Sequence, residues 1–279
     1  MRQMQLRAPL HWPFSKMHGL GNDFVVVDTR DRTLEVSPAL VRALADRHRG
    51  VGFDQLAVIE PGDALAITFY NADGSMSAAC GNATRCIAAQ EMARTGARSL
   101  QIDVTGRGTL GAVMRPDGVT AVNLGLTLLD WQGIPLAQEA DTLHLPIDGD
   151  PVGTGMGNPH CTFFVDDVAG VDLARRGAEV EHHPLYPERT NVQFAQITGP
   201  DRIRMRVWER GTGVTLASGS SSCATAVAAH RRGLTGRTVT LDLDGGTLEI
   251  DWRDDGVWMA GPTAHVFDAT LTQAFLDSL

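Results

Sequence analysis

Two short stretches of this chain carry side chains that could move a proton. They are "AACGNATRCIAAQ" at Ala78–Gln90 and "LASGSSSCATAVAAH" at Leu216–His230. Cys80 in the first and Ser218 in the second each stand on a turn of small residues that runs into an Ala-rich helix. At such a helix start the first backbone N–H groups lack intrahelical partners and the dipole is positive. The turn can therefore hold a carboxylate, and it favours a thiolate, drawing a cysteine below its ordinary pKa of about 8.5. Taken alone, a cysteine before Gly and Asn is usually a small buried residue, and a Gly–Asn pair is usually a turn former.

The two stretches are parts of a longer repeat. "GLGND" at Gly19–Asp23 resembles "GMGNP" at Gly155–Pro159, so that Asn22 matches Asn158. "FDQLAVI" at Phe53–Ile59 aligns with "RTNVQFA" at Arg189–Ala195, matching Gln55 with Asn191. "ITFYN" at Ile67–Asn71 aligns with "MRVWE" at Met205–Glu209, and "GTL" and "DGV" recur after each helix. Six matches in one order, all offset by 136 to 138 positions, mark a duplicated domain. A solenoid would repeat every 20–50 residues.

The elements that must carry these residues are mixed. "VSPALVRALADRHRG" predicts a helix with Ser37 as N-cap, Pro38 at its first position and Gly50 just beyond its end. "GNATRCIAAQEMARTG" and "SSSCATAVAAHRRG" predict helices without a strong polar stripe, hence buried, each closed by a glycine. "LDLDGGTLEIDW" predicts a strand–Gly-Gly–strand hairpin, with "LQIDVTGRGTLGAV" as its counterpart. Each half thus runs strand, helix, strands, long helix, hairpin, strand. The expected class is α+β: two pseudo-symmetric domains, each a strand-rich, barrel-like sheet around a central helix. The expected divisions are an extension at 1–12, a first domain at 13–128 joined by the C-terminal segment 267–279, and a second domain at 129–266. A cleft between two such domains is a common place for a ligand. There Cys80 and Ser218 would face one substrate carbon from opposite sides, which suits removing a proton on one face and returning it on the other.

Composition narrows the function. The net charge of −9 speaks against a nucleic-acid footprint and leaves no basic face for anionic lipid. No apolar run approaches the roughly 18 residues of a membrane span, and "MRQMQLRAPLHWPF" lacks the apolar core of a signal peptide. Cys80, Cys86, Cys161 and Cys223 are expected reduced, in a cytoplasmic protein, and have no zinc-like spacing. Cys86 and Cys223 are expected in the helix cores and Cys161 inside the second domain. "GTGMGN" lacks the Lys–Ser/Thr ending and the βαβ setting of a phosphate loop, so no nucleotide is expected. No metal cluster and no cofactor lysine stands out.

The segments "FSKMHGLGNDFVVVD", "RHRGVGFDQLAVIE", "NADGSMSAACGNATRC", "GMGNPHC", "PERTNVQF" and "VWERGTG" resemble, in order and from about residue 13 onward, those of the diaminopimelate epimerases. The resemblance implies a cofactor-independent, two-base epimerase that interconverts LL- and meso-diaminopimelate, with two similar halves and a homodimeric assembly. It implies that Cys80 is one acid/base group and that Ser218 stands where the family has a second cysteine. It implies substrate contacts from Asn22, Gln55, Asn71, Asn158, Asn191, Glu209 and Arg210, and anion-holding turns at Gly81–Asn82 and Gly219–Ser220. His160 is either a group beside the site or a satisfied structural histidine. Ala83 and Ser221 replace small glycines of the two turns and add a Cβ where a turn could need positive φ.

Ser218 is the departure with chemical weight. A serine alkoxide is not populated near neutrality without an activating base, and no His or Lys adjoins Ser218 in sequence. An acid/base group is worth about 10² to 10⁴ in rate. The expectation is a slowed epimerase unless something stands in for the missing thiol. The alternatives are a one-base enzyme on the same scaffold (a dehydratase or another racemase or isomerase) and an inactive amino-acid binder.

Overall fold

The computed structural model describes residues 12–31, 35–62, 64–77 and 80–279. Apart from Trp12, the extension expected at 1–12 lies outside the described residues. The first half contains β1 (Trp12–Gly19), β2 (Asn22–Asp28), α1 (Pro38–Ala45), β3 (Gln55–Glu60), β4 (Leu65–Asn71), β5 (Met76–Ser77), α2 (Gly81–Thr95), β6 (Ser99–Val104), β7 (Gly108–Met114) and β8 (Thr120–Asn123). The second contains β9 (Val152–Gly155), β10 (Pro159–Phe164), α3 (Leu173–Glu181), β11 (Asn191–Gly199), β12 (Arg202–Glu209), β13 (Gly213–Thr215), α4 (Gly219–Arg231), β14 (Thr238–Leu243), β15 (Gly246–Arg253) and β16 (Gly256–Ala260). β17 (Ala264–Leu271) and α5 (Gln273–Asp277) close the chain.

The duplication shows in the pairing as well as the order. β2 runs parallel to β3 as β10 does to β11. β4 runs parallel to β6 as β12 does to β14. The hairpins β6–β7 and β14–β15 are antiparallel, and β8 pairs antiparallel with β16 to join the halves. β17 then returns to pair with β1. The second hairpin turns at Asp244–Gly245, since Leu243 pairs with Gly246.

The sequence explains the helices that matter. Ser37 caps α1, its Oγ accepting the Leu40 N–H at 3.1 Å. The helix stops at Ala45, five residues before the expected glycine. Asp46 ends it by capturing the His48 and Arg49 N–H groups at 2.8 and 3.0 Å, the local competition that makes Asp a poor helix interior residue. α2 ends as expected, on Gly96 in the left-handed conformation with φ 75°.

α2 and α4 are central in their halves. Cys86, Ile87, Ala88 and Met92 of α2 and Cys223, Ala224, Val227 and Ala229 of α4 belong to one continuous buried cluster. Ala and Cys let strands approach the helices from several sides, so neither helix needs a polar stripe. Cys161 is buried in the satellite core of the second half, under α3. All four cysteines are free. Among the described residues, no helix is long and apolar enough to cross a membrane.

The halves touch directly beside the site. The Gly245 N–H donates to the Leu216 carbonyl at 2.8 Å, and a Cβ on Gly245 would collide with the Leu20 carbonyl. Gly245→Ala is therefore expected to cost about 1–3 kcal/mol through the forced backbone shift, read as a lower urea midpoint at unchanged slope.

Candidate active site

The helices α2 and α4 meet at their N-termini. A Cβ on Gly219 would sit 3.0 Å from the Met259 sulfur and 3.7 Å from the Gly81 Cα. Only residues without side chains let the two starts come this close. Cys80 and Ser218 are the N-caps of the two helices, in matching extended conformations (φ −142°, ψ 95° and φ −138°, ψ 121°).

The two caps behave differently. The Cys80 sulfur accepts the Ala83 N–H at 3.4 Å, and its S–H reaches the Asn22 Oδ1 at 3.8 Å. The expected low thiol pKa is not found in this state. Burial pushes the Cys80 thiol up to about 12, the Ala83 N–H opposes this, and the Glu209 charge adds to it. The helix start is one partial charge against a nearly dry site, so desolvation prevails.

Ser218 makes no cap bond to its own helix, although serine is among the best N-caps. Its Oγ instead donates to the Glu209 Oε2 at 2.8 Å. Thr215 Oγ1 donates to the Glu209 Oε1 at 2.6 Å. Burial raises the Glu209 carboxyl above the usual range, against these two hydrogen bonds. A candidate base thus does stand beside Ser218. It comes from the end of β12, nine positions back in sequence, where the neighbours of Ser218 gave no hint of it.

The remaining expected residues divide into two groups. In the first half, Asn22 lines the cleft described below and the buried Asn82 stands behind it, while Gln55 and Asn71 form a second pair. Asn82 Nδ2 donates to the Asn22 Oδ1 at 3.2 Å, and Gln55 Nε2 donates to the Asn71 Oδ1 at 3.2 Å across the β3–β4 pair. In the second half, Asn191 is buried and shapes backbone: its Nδ2 donates to the Pro159 carbonyl and its Oδ1 accepts the Arg210 N–H, both at 3.0 Å. The Arg210 guanidinium donates to the Glu188 carbonyl at 3.0 Å. Gly219 is buried and Ser220 is half-exposed on the first turn of α4.

His160 is wholly buried and serves Asn158. Gln193 Nε2 lies 3.1 Å from its Nδ1 and Asn158 Oδ1 lies 2.8 Å from its Nε2. A neutral ring that accepts at Nδ1 and donates at Nε2 satisfies both partners. Burial drives its pKa down to about 3, with the Arg210 and Arg107 charges adding. The strain expected at Ala83 and Ser221 is absent. Both lie in helices without positive φ, and Ser221 Oγ accepts from Gln193 Nε2 at 3.0 Å.

A cleft of about 430 Å³ opens between the halves, lined by Asn22, Arg47 and Asp54 on one side and Thr212, Thr215 and Ala217 on the other. Arg47, Asp54 and Thr215 are additions to the sequence-derived set. Arg47 Nη2 bridges Asp23 and Asp54 at 2.7 and 2.8 Å, and Asp54 Oδ2 accepts from Asn22 Nδ2 at 2.9 Å. Arg47 and Asp54 lie inside the quoted segment "RHRGVGFDQLAVIE", but the contact of Asp54 with Asn22, and of both residues with Asp23, needs β2 beside β3.

The diaminopimelate epimerase family model matches residues 14–126 and 153–266. A diaminopimelate epimerase of Acidiphilium cryptum is 52% identical over 272 residues, covering 95% of this chain and 98% of the relative. One of Rhodospirillum centenum is 50% identical, covering 94% and 93%. The chain belongs to the diaminopimelate epimerase family. A hydroxyproline epimerase of Agrobacterium vitis superposes with TM-score 0.67 at 14% identity, covering 98% of this chain and 94% of that one. A methylitaconate-delta-isomerase superposes with TM-score 0.62 at 15% identity, covering 97% and 98%. At that distance the likeness is one of fold, and the same fold carries more than one chemistry.

In this diaminopimelate epimerase family member the buried, neutral His160 has a consequence for stability. Its folded pKa lies below its unfolded value of about 6.5, so the stability it contributes is present above that value and is lost as pH falls toward 3. Between pH 7 and pH 4.5 the loss is about 3 kcal/mol. Urea unfolding at the two pH values should show it, and His160→Gln should shrink the difference.

Proposed function

We propose that this chain, an isomerase of the diaminopimelate epimerase family, interconverts LL- and meso-diaminopimelate without a cofactor, and that its second acid/base group is the Ser218–Glu209 pair. The observation that carries this reading is the 2.8 Å hydrogen bond from Ser218 Oγ to Glu209 at the helix start that abuts the turn of Cys80.

The substrate α-carboxylate sits on the paired turns Gly81–Asn82 and Gly219–Ser220, where free N–H groups and two helix dipoles hold it and the negative charge that builds as the α-proton leaves. In one direction the Cys80 thiolate takes the α-proton, forming S–H. The Ser218 hydroxyl gives its proton to the opposite face and receives one from the protonated Glu209 carboxyl. In the other direction the Glu209 carboxylate draws the proton through Ser218 and the Cys80 thiol donates. The Glu209 charge disfavours the Cys80 thiolate, so one side is protonated while the other is not, as a two-base exchange requires. Asn22, Gln55, Asn71, Asn158, Asn191 and Arg210 then shape the cleft for the distal amino-acid group. A one-base reading starts from the same serine, and the proton-exchange measurement separates the two.

In D₂O, both LL- and meso-diaminopimelate are expected to exchange the α-proton and epimerise. Exchange from only one isomer would mean one-base chemistry, and binding without exchange would mean an inactive binder. Glu209→Gln should lower kcat about 10² to 10⁴-fold. Ser218→Cys should restore a thiol and raise kcat in both directions. Mild oxidant should not inactivate the native chain by joining the two acid/base groups, because Ser218 cannot form a disulfide. Dithiothreitol-reversible inactivation without a mixed disulfide at Cys80 would oppose this.

The assembly we infer is a homodimer in the cytoplasm. Its support is β17, which among the described residues pairs only with β1 and exposes Val266 and Phe267, 53% and 43% accessible. An edge strand with apolar side chains is a natural partner for a second copy. Light scattering should give a dimer mass for the native chain and a monomer mass for Phe267→Asp.

A further inference from the structure

Glu181, the last residue of α3, is buried at 2% exposure, and its carboxylate faces the segment that carries Glu209 and Arg210. Its Oε2 accepts the Trp208 indole N–H at 2.7 Å, and its Oε1 accepts the Gly211 backbone N–H at 2.9 Å. The exposed Arg189 guanidinium stands 3.7 Å from the same Oε1. Gly177, one turn earlier on the same face of α3, makes room for the ring: a Cβ there would come within 2.5 Å of the Trp208 Cβ and Cγ. α3 therefore clamps Trp208 twice, with a glycine that admits its ring and a carboxylate that takes its N–H.

A carboxylate taken out of water is tolerated where its oxygens find donors, and hydrogen bonds to a charged acceptor are the strong ones. Both donors to Glu181 flank Glu209. Trp208 precedes it on β12, and Gly211 lies in the turn that follows, where the Thr212 N–H donates to the Glu209 carbonyl at 3.0 Å. The Arg210 N–H between them is held by the Asn191 Oδ1. Successive side chains of a strand point to opposite faces. With Trp208 fixed against α3, Glu209 is aimed at the other face, where Thr215 and Ser218 donate to it.

We propose that Glu181 is a positioning residue for the Ser218–Glu209 pair: its carboxylate fixes the Trp208 indole and the Gly211 N–H, and so holds the Glu209 carboxyl at hydrogen-bond distance from the Ser218 hydroxyl. The inference rests on the reading of Glu209 as part of the second acid/base group. Such a group works only within hydrogen-bond reach of the atom it serves, and an ångström of misplacement can cost about 10²-fold in rate. Glu181 acts through Trp208 and Gly211 on one face of the substrate carbon, whereas Cys80 serves the other from the start of α2 in the first half. A defect at Glu181 is therefore one-sided.

The test uses the full chain with Glu181→Gln, which keeps the shape but leaves one acceptor oxygen for two donors. The probes are β-fluoro-diaminopimelates of each α-configuration. When the enzyme base takes the α-proton, the C–H electron pair forms the α,β double bond and fluoride leaves, so fluoride release reports proton removal on one face and needs no proton return. E181Q should release fluoride about 10- to 10²-fold more slowly from the configuration that Glu209→Gln also slows, and stay within about threefold of wild type on the other. Equal slowing of both configurations would make Glu181 a general structural residue and overturn the proposal, as would wild-type rates on both. If E181Q does not fold, Trp208→Phe, which keeps a ring and drops the indole N–H, decides by the same one-sidedness: slowing of about threefold confined to that configuration is expected, and equal rates for the two configurations overturn the proposal. A crystal structure of E181Q reads the placement apart from catalysis. The Ser218–Glu209 hydrogen bond should be broken there, and its retention at 2.8 Å refutes the positioning role. Glu209→Gln is read separately: if it slows both configurations alike or neither, the acid/base reading falls, while the E181Q structure still reports whether Glu181 holds Glu209.

Discussion

Everything in this site follows from two helix N-termini pressed against each other. An isolated helix start carries a partial positive charge and a few unpaired N–H groups, which are satisfied by water or a cap. Two starts in contact, at Gly81 and Gly219 over Met259, bring two sets of unpaired N–H groups and two positive dipole ends together. An anion is the natural occupant. The duplicated strand order, the Ala-rich helix interiors and the β8–β16 junction that couples the halves all hold this contact.

The two cap residues show how the same backbone position supports different chemistry. Cys80 turns its sulfur inward, accepts the Ala83 N–H and is held as a thiol by burial. Ser218 leaves its helix uncapped and points to Glu209. A hydroxyl is too weak an acid to carry the charge itself, so the charge resides one hydrogen bond away, on a carboxyl whose affinity for its proton is raised by the same dry surroundings. The asymmetry of the pair lies in its partners: a backbone N–H for the Cys80 sulfur, a buried carboxyl for the Ser218 hydroxyl.

The polar groups behind the site are as ordered as those in front of it. His160 is locked neutral between Gln193 and Asn158, and Ser221 extends that network into α4. Behind Glu209 a single buried carboxylate, Glu181, gathers the Trp208 indole and the Gly211 N–H. Among the described residues these networks leave few buried polar atoms unpaired.

The sequence by itself determined a good deal: the mixed class, the duplication, the two buried helices with their glycine stops, the hairpins, and the identity of Cys80 and Ser218 as equivalent positions. These follow from local pattern and from self-similarity, which are visible along a single chain. The early end of α1 was hidden because Asp46 competes for backbone N–H groups through its own side chain. The carboxyl beside Ser218, the thiol's high pKa, the structural duty of Asn191 and the reach of Glu181 to Trp208 and Gly211 were decided only in three dimensions. Each depends on burial or on a contact between strands and helices far apart in the chain, and neither residue type nor spacing records how much water a folded group loses.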